Sequence, residues 1–533
     1  MRATLCGMIL AGIGIGSIVA DDSPAVELSR WIDDHLAETW KQKQIQPAQK
    51  ASDAEWVRRV HLDLIGRIPS LLEVQEFVGS TDPDKDTKLV ANLVERGAFA
   101  DIWAGNILRG LLPETETSDE PNSYGLVEPI KGWLREMLVD HRPYDQIARE
   151  LIACSFPLSP SERSISPASF YAIKKSKPEE LASATSRYFL GVRIECAQCH
   201  DHPFAQWKRK EFWQFAAFYA GLVRSNQADG FQYPQRDEKS VREIKMEGTD
   251  ELIPAAFLGE ADRPIPSDEF ARNALAEWIV DGTNPFFAKA AVNRVWYHLF
   301  GIGIVDPIDD MDSHNPPSHP EILDRLAEEF RVHGYDLRWL IRAIAGTRAY
   351  RLSSQAPEGI EIPPRSFARM IVRTMTFDQY SRSLAEVSGQ QEESFAQRIE
   401  QVGNLKGAEP YRSDTSISQA LLEMNGWPAN FVLRQPNQLR LEKSLDGKAF
   451  SFNEAVTLLY QATLSRPPSE EELEVAKLLV KETSGIREHP FVELVRRLTN
   501  SRSMPMSPQV PMHSDKRDLL WVLINSSEFR MNH

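Results

Sequence analysis

The chain has 533 residues, of which 42% are hydrophobic and 26% are charged, close to the composition of an average soluble globular protein. Such a chain can bury a sizeable core without disulfide bonds, so its composition excludes a disordered protein, a collagen and a disulfide scaffold. The formal net charge of −15 opposes binding to nucleic acid or to an anionic membrane surface. We therefore expect a large acidic globular protein that does not bind nucleic acid.

Residues 1–20 predict a secretory signal peptide. Arg2 precedes a short apolar, glycine-rich run that ends at Ala20, and Asp21 and Asp22 open the polar part of the chain. The apolar run is too short for a comfortable transmembrane helix, and no later run reaches about 18 apolar residues. We expect an exported protein, periplasmic or extracellular, with no transmembrane span after signal removal.

Helical periodicity dominates the next part of the chain. Trp56, Val60 and Leu64 lie one turn apart before Gly66, which is typical of a helix and its end. Pro178 begins a further helix that leads directly into a cysteine-containing motif. We predict a first helical domain over residues 25–221.

Signal removal leaves three cysteines, Cys154, Cys196 and Cys199, in a chain that we assign to an oxidising compartment. A disulfide between the close pair would enclose a very short loop and would therefore add little stability. Cys154 lies in a helix-like segment and is most simply a buried core thiol. The close pair needs another explanation.

That explanation is the CxxCH motif formed by Cys196, Ala197, Gln198, Cys199 and His200. Two intervening residues allow both thiols to form thioether bonds with the haem vinyl groups, and the adjacent histidine then ligates the iron. Covalent haem attachment takes place outside the bacterial cytoplasm, in agreement with the predicted export. The motif predicts a covalent haem c, with Cys196 and Cys199 as anchors and His200 as the proximal ligand.

Two other interpretations of the motif remain open. Cys196, Cys199, His200 and His202 could together hold zinc or iron, although four ligands within seven residues are cramped and tetrahedral sites usually use a distant segment as well. The two cysteines could instead form a disulfide or a redox dithiol, although a thioredoxin-like βαβ context is absent.

Aromatic residues crowd the sequence after the motif, and they could line a haem pocket or form a core-facing helical stripe. The members of this set are Phe204, Trp207, Phe212, Trp213, Phe215, Phe218 and Tyr219. His202 is too near His200 to reach the opposite face of the same haem. The sixth ligand would therefore be a distant residue such as Met311, His314 or His319, or the iron would have an open position that favours ligand binding or redox chemistry over simple electron relay.

The chain changes character over residues 222–266. SVREIKMEG and ELIPAAFLG alternate like two strands around a turn at residues 248–250. Helical patterns return afterwards, so we predict a linker with a small β insert over 222–266 and a second helical domain over 267–533. The expected fold class is mainly α, with two helical domains joined by a small β-containing insert.

A second constellation lies in a proline-rich turn of the second domain. Asp309, Asp310, Asp312, His314 and His319 fall within eleven residues and could bind a cation or a sugar. Aspartate and proline also build turns for structural reasons, which is the simpler explanation. We retain Asp309, Asp310 and His319 as a second candidate site.

Residues 501–513 form a loop rich in proline, serine and methionine. Met504, Met506, Met512 and His513 would suit copper, although a flexible insertion is the simpler explanation. The sequence has no Ser-His-Asp elbow, phosphate loop, HExxH or glycosidase signature, so it indicates no enzyme class.

Long strings of the sequence resemble a known pair of domains. WVRRVHLDLIGRIPS, PYDQIARELIA, PEELASATSRYFLGVRIECAQCHDHPFAQW and FWQFAAFYAG resemble the domain of unknown function fifteen-forty-nine (DUF1549) of secreted planctomycete proteins. NPFFAKAAVNRVWYHLFGIGIVDPIDDMDSHNPPSHPEILDRLAEEF and YDLRWLIRAIAGTRAYRLSS resemble its partner domain, fifteen-fifty-three (DUF1553). The resemblance implies an exported, mostly helical protein whose relatives are often labelled cytochrome-c-like because some carry a separate haem domain in front, a domain that we expect this chain to lack. The family's CAQCHxHP pattern falls on Cys196, Cys199, His200, His202 and Pro203, and the resemblance brings no established activity.

Motif and compartment together predict an exported c-type haem-binding protein with a redox or electron-transfer role, which would act with a redox partner or an exported enzyme. The alternative is a secreted binding or scaffold protein without haem. In that case the Cys/His cluster would hold zinc or a disulfide, and the second domain would bind a cell-surface polymer or a partner enzyme.

Overall fold

The computed structural model describes most of the chain. The described residues are 23–113, 124–156, 165–224, 234–388, 450–483, 523–524 and 526–533. The predicted signal peptide and the methionine-rich loop 501–513 lie outside these residues. None of the helices in the described part of the chain is both long and apolar enough to span a bilayer.

Five helices follow one another in the first described range, and local sequence signals mark several of their ends. The Ser52 hydroxyl accepts a hydrogen bond from the Glu55 amide (3.1 Å) at the start of the second helix, and Gly66 ends it at a φ of 70°. The helices are α1 (Ser23–Gln42), α2 (Asp53–Ile65), α3 (Leu71–Gly79), α4 (Lys85–Val94) and α5 (Gly97–Leu111).

In the described parts of residues 124–224, five further helices lead to the cysteine motif and past it. Pro178 occupies the first turn of one of them, as its sequence predicts, and that helix continues as a π-helical turn over Ser186–Leu190. A 3₁₀ turn over Glu195–Gln198 carries the motif. The helices are α6 (Tyr124–Val139), α7 (Tyr144–Ile152), α8 (Ser169–Ile173), α9 (Pro178–Thr185) and α10 (Arg209–Ala216).

Two short antiparallel strand pairs follow among the described residues. In the second pair Ile244 lies opposite Ile253, so the strand pair predicted around residues 248–250 is present. The strands are β1 (Leu222–Arg224) with β2 (Pro234–Asp237), and β3 (Glu243–Lys245) with β4 (Leu252–Pro254).

The rest of the described chain is again helical. Its helices are α11 (Ala271–Val280), α12 (Phe287–Phe300), α13 (Pro320–Val332), α14 (Leu337–Ala345), α15 (Phe377–Ser388), α16 (Phe452–Leu464), α17 (Glu470–Thr483) and α18 (Ser527–Arg530). A short antiparallel pair joins β5 (Arg373–Thr374) to β6 (Met531–Asn532). The predicted mainly α fold is confirmed.

One continuous hydrophobic core contains buried side chains from both predicted domains, including Trp103 of α5, Phe189 and Trp296 of α12. Specific hydrogen bonds cross the same boundary, because the Ser29 hydroxyl of α1 donates to the carbonyl of Ala343 (2.7 Å). A smaller cluster packs α2 against α15, α16 and α18. The predicted domain boundaries remain predictions, but the segments on either side of them share one interior.

Candidate functional site

The CxxCH motif lies on the surface with its two thiols exposed. The 3₁₀ turn buries Ala197 completely, at 0% exposure, and leaves Cys196 and Cys199 accessible as free thiols. Because the single alanine anchors the turn in the core, the cysteines on either side can react without unfolding it. Cys154 is buried among core residues, as predicted.

Helix α10 holds the backbone of the motif. The carbonyl of Gln198 accepts hydrogen bonds from Nε1 of Trp213 (3.0 Å) and from Nε of Arg209 (3.3 Å). The indole of Trp213 is itself buried. Two side chains of one helix therefore fix the peptide between the two cysteines.

His200 has a defined tautomer. Its Nδ1 lies 2.7 Å from the carbonyl oxygen of Asp201, and a carbonyl can only accept, so Nδ1 carries the proton. In the neutral imidazole the lone pair is then on Nε2, and the ring is exposed. A histidine that ligates a metal through Nε2 commonly donates from Nδ1 in this way. His200 is therefore prepared to act as a ligand through Nε2.

Asp201 connects His200 to the start of α10. Its Oδ1 accepts the backbone N–H of Arg209 (2.9 Å), and Nζ of Lys208 lies 3.4 Å from its other carboxylate oxygen. The backbone hydrogen bond, followed by the Lys208 ammonium, lowers the pKa of the Asp201 carboxyl. The carboxylate thus stays ionised and fixes the peptide whose carbonyl binds His200.

His202 has the opposite tautomer. Its Nδ1 accepts the backbone N–H groups of Phe204 (3.2 Å) and Ala205 (2.8 Å), so the proton of the neutral ring is on Nε2. His202 therefore organises the turn that follows the motif. Within the residues that the structure describes, no group of three or more His, Cys, Asp or Glu side chains is arranged to hold a metal ion.

The aromatic residues after the motif are core residues, with one exception. Phe204 is 81% exposed and lies in the same surface segment as the thiols. The spacing of Phe212, Phe215 and Tyr219 reflects burial against the protein interior. The buried members of the set are Trp207, Phe212, Trp213, Phe215, Phe218 and Tyr219.

The turn that contains Asp309 packs against the segment leading into the motif. Nη2 of Arg193 lies 2.6 Å from Oδ1 of the buried Asp309, and the amide of Met311 donates to the carbonyl of Gly191 (2.8 Å). This contact could not be predicted from local sequence patterns, because about 120 residues separate its two sides. Met311, one of the residues suggested as a sixth iron ligand, thus contacts Gly191 in the segment just before the motif.

The three residues of the second candidate site have separate environments. Asp309 pairs with Arg193, whereas Asp310 lies 3.2 Å from Nε2 of His314. His319 lies against the ring of Phe367, and burial lowers its pKa to about 4. The structure therefore does not bring Asp309, Asp310 and His319 together as one ligand set.

A buried polar cluster was missed by sequence reasoning. Asp63 is fully buried and accepts hydrogen bonds from Arg373 (2.8 and 2.9 Å), the Tyr350 hydroxyl (2.7 Å) and Nδ2 of Asn532 (2.6 Å). Nε2 of His298 lies 3.1 Å from the Asp63 carbonyl oxygen. The signal in the sequence that could have indicated this cluster is a carboxylate inside the apolar run HLDLI of α2. The partners of Asp63 could not be identified in the same way, because they are distant in sequence.

Two family models match the chain. The model described as "PSCyt2: Protein of unknown function (DUF1549)" matches residues 31–224, which include the CxxCH motif. The model described as "PSD1: Protein of unknown function (DUF1553)" matches residues 271–409, which include the Asp309 turn. No curated protein and no solved structure matches the chain.

Proposed function

The chain belongs to the family that pairs a DUF1549 domain with a DUF1553 domain, and neither description assigns an activity. From the site geometry we propose that the protein is an exported c-type haem-binding protein with a redox or electron-transfer role. The observation that carries the proposal is the hydrogen bond from Nδ1 of His200 to the Asp201 carbonyl, which leaves Nε2 free for iron. Two exposed thiols stand beside it in the order that haem attachment requires.

The residues present fit a haem c. Cys196 and Cys199 would hold the porphyrin through thioether bonds, and His200 would be the proximal ligand. The haem supplies one-electron redox chemistry when it is bound. The ring of Phe204, which is exposed and follows the motif closely in sequence, offers apolar surface to a bound macrocycle.

The supporting residues orient the ligand. The Asp201 carbonyl holds His200 in one tautomer, and such a hydrogen bond also raises the basicity of the ligating nitrogen. Trp213 and Arg209 restrain the Gln198 carbonyl between the two cysteines. Thiols and imidazole are thus presented by a backbone that is already ordered.

The tautomer of His202 supports haem over the four-ligand zinc cluster. Its Nδ1 lone pair binds two backbone N–H groups, and its Nε2 carries the proton in the neutral ring. Ligation by His202 would require either loss of these two hydrogen bonds or deprotonation of Nε2. The haem assignment requires neither change, because it uses only Cys196, Cys199 and His200.

The test is a reduced pyridine haemochrome spectrum with elemental analysis on full-length protein, exported from cells that possess c-type cytochrome maturation. We expect a c-type spectrum at about one haem per chain, since there is one motif. Cys196→Ala combined with Cys199→Ala should abolish covalent haem. Cys154→Ala is the matched control, because it removes a buried thiol from the same domain and should leave the haem in place.

Other results would replace the proposal. Unchanged haem staining of the double variant would contradict the role of the two cysteines. Stoichiometric zinc or iron without haem would favour the metal cluster. Protein with neither metal nor haem would favour the secreted binding or scaffold protein, in which the second domain binds a polymer or a partner enzyme.

A further inference from the structure

A cleft of about 800 Å³ lies between elements of the two paired domains. Helices α1, α2 and α4 of the first domain contribute to its lining, together with the end of α14 and the segment that follows it in the second domain. Small-molecule sites are common at such junctions and usually measure about 300–1,000 Å³. No residue of the CxxCH motif is among the described residues that line the cleft, so it is a separate candidate site.

Apolar groups make up the larger part of the surface of the cleft. A ligand that carries apolar side chains gains free energy by removing this surface from water. A polyol would instead lose water from its hydroxyl groups without gaining enough partners. The apolar residues of the lining include Ala37, Trp40, Ile45, Pro47, Ala48 and Leu352.

The two carboxylates of the described lining already have cationic neighbours. Oδ2 of Asp86 accepts a hydrogen bond from Nε of Arg351 (2.8 Å). Asp33 accepts the backbone N–H groups of Arg348 (2.7 Å) and Ala349 (3.1 Å), and the Arg348 guanidinium compensates its charge. The two arginines of the lining are therefore balanced by the two carboxylates.

The two lysines of the lining provide an excess of positive charge. The side chains of Lys41 and Lys50 are exposed, and neither ammonium forms a hydrogen bond or an ion pair in the structure as described. This local excess contrasts with the net charge of −15 of the whole chain. An anionic group of a ligand is therefore favoured beside these lysines.

Two polar atoms of lining residues are buried and have no hydrogen-bond partner in the described structure. One is the donor Nε1 of Trp56, which is 1% exposed, and the other is the acceptor Oδ1 of Asp86. Leaving such atoms without partners costs free energy, so native proteins usually satisfy them with protein groups, water or a ligand. A secondary amide has both the acceptor and the donor that these two atoms need.

The cleft is elongated along α1. Asp33 and Lys41 lie on this helix about 12 Å apart, since each residue of a helix adds about 1.5 Å. A smaller pocket of about 130 Å³ adjoins the cleft and shares Asp33, Thr87 and Gly346 with it. The cleft therefore suits an extended ligand better than a compact one.

We propose that this cleft binds the C-terminal end of a short apolar peptide, with its carboxylate at Lys41 and Lys50 and its side chains against the apolar wall. An amide group of the peptide then satisfies Trp56 and Asp86. A fatty acid lacks the amide, and a sugar acid lacks the apolar side chains, whereas a peptide has all three features. The proposal does not depend on haem at the CxxCH motif.

Isothermal titration of the full-length protein tests the ligand class. The probe is N-acetyl-leucyl-leucine, whose acetyl group and two residues span about 10 Å when extended. Three analogues each lack one feature: N-acetyl-leucyl-leucinamide lacks the carboxylate, N-acetyl-glycyl-glycine lacks the apolar side chains, and octanoate lacks the amide. We expect one probe molecule per chain and weaker binding of each analogue. No binding of the probe, or equal or tighter binding of any analogue, overturns the proposal.

A charge variant tests the position of the carboxylate. The parent should bind N-acetyl-leucyl-leucine roughly threefold to tenfold more tightly than its amide, the usual size for two exposed ion pairs. Lys41→Gln combined with Lys50→Gln should bind both probes equally. Lys43→Gln combined with Lys88→Gln is the matched control, since both lysines are exposed and neither lines the cleft, and it should keep the parental preference. A preference that persists in the Lys41/Lys50 variant contradicts the assigned orientation.

Ala37→Phe provides a test that keeps all charges. Ala37 lies on α1 and lines the cleft, so a larger side chain should occupy the ligand volume and abolish binding of N-acetyl-leucyl-leucine. Circular dichroism melting verifies that each variant is folded. A folded Ala37→Phe protein that binds the probe as the parent does would overturn the location.

Discussion

His200 and His202 are two residues apart and have opposite tautomers. Nδ1 of His200 donates to a carbonyl, whereas Nδ1 of His202 accepts two backbone amides. The sequence predicts the first as a ligand from the CxxCH spacing, but the spacing alone could not separate it from the second. That distinction depends on where the backbone turns after the motif, which is a tertiary property.

These tautomers predict different effects of substitution. If haem c is attached as proposed, His200→Ala should retain the two thioether bonds and change the iron coordination, because the proposed proximal nitrogen is lost. His202→Ala, the matched control, should leave the iron ligands unchanged while loosening the turn over residues 202–205. Visible and electron paramagnetic resonance spectra of both purified variants measure the coordination. A His200→Ala spectrum identical to that of the parent would exclude His200 as the ligand.

At the scale of elements, local signals were sufficient for helix and hairpin prediction. Ser52 begins α2 through a side-chain hydrogen bond, and Gly66 ends it through its backbone conformation; both effects depend only on neighbouring residues. The strands β3 and β4 pair across a short turn, which is again local. Packing between elements was not predictable in the same way, and the contact of the Asp309 turn with residues 191–193 is an example.

Gly191 follows the π-helical turn at the end of α9, and its carbonyl accepts the hydrogen bond from the amide of Met311. Its φ of +68° strains any other L-residue, and an added Cβ would lie 3.0 Å from Sδ of Met311 and 3.3 Å from Cβ of Ala290. Gly191→Ala should therefore lower the free energy of unfolding by about 1–3 kcal/mol, which urea denaturation measures.

Gly248 offers a matched control for this substitution. It has a similar φ of +75°, but an added Cβ would meet no atom within 4 Å. Gly248→Ala should thus report the backbone strain alone and cost less than Gly191→Ala. Equal costs would contradict close packing of the Met311 turn on Gly191.

At the scale of the whole molecule, the two paired domains share an interior that the sequence did not reveal. Asp63 of α2 binds Arg373 and Asn532, and its carbonyl oxygen lies near His298 of α12. Hydrophobic periodicity identifies which face of a helix is buried, but it does not identify the partner across the core. The division into domains came from local sequence patterns and therefore could not predict this polar cluster.

Burial of His298 at this shared interior predicts acid sensitivity of the folded chain. Burial lowers its pKa from 6.5 to about 4, so the unfolded state binds more protons than the folded state between these values. Its contribution to stability is present above about pH 6.5 and is lost as the pH falls to about 4, by up to about 3 kcal/mol.

Urea unfolding at pH 7, 5.5 and 4.5 tests this dependence. The free energy of unfolding should fall with pH in the parent and fall less steeply in His298→Asn, because asparagine takes up no proton. The slope is the relevant quantity, since the variant also loses the contacts of His298 with Asp63 and Asn106 at every pH. His141→Asn, which replaces an exposed histidine, should keep the parental slope. If His298→Asn keeps the parental slope too, acid destabilisation must originate elsewhere. His319, another buried histidine whose pKa is lowered to about 4, then becomes the group to replace next.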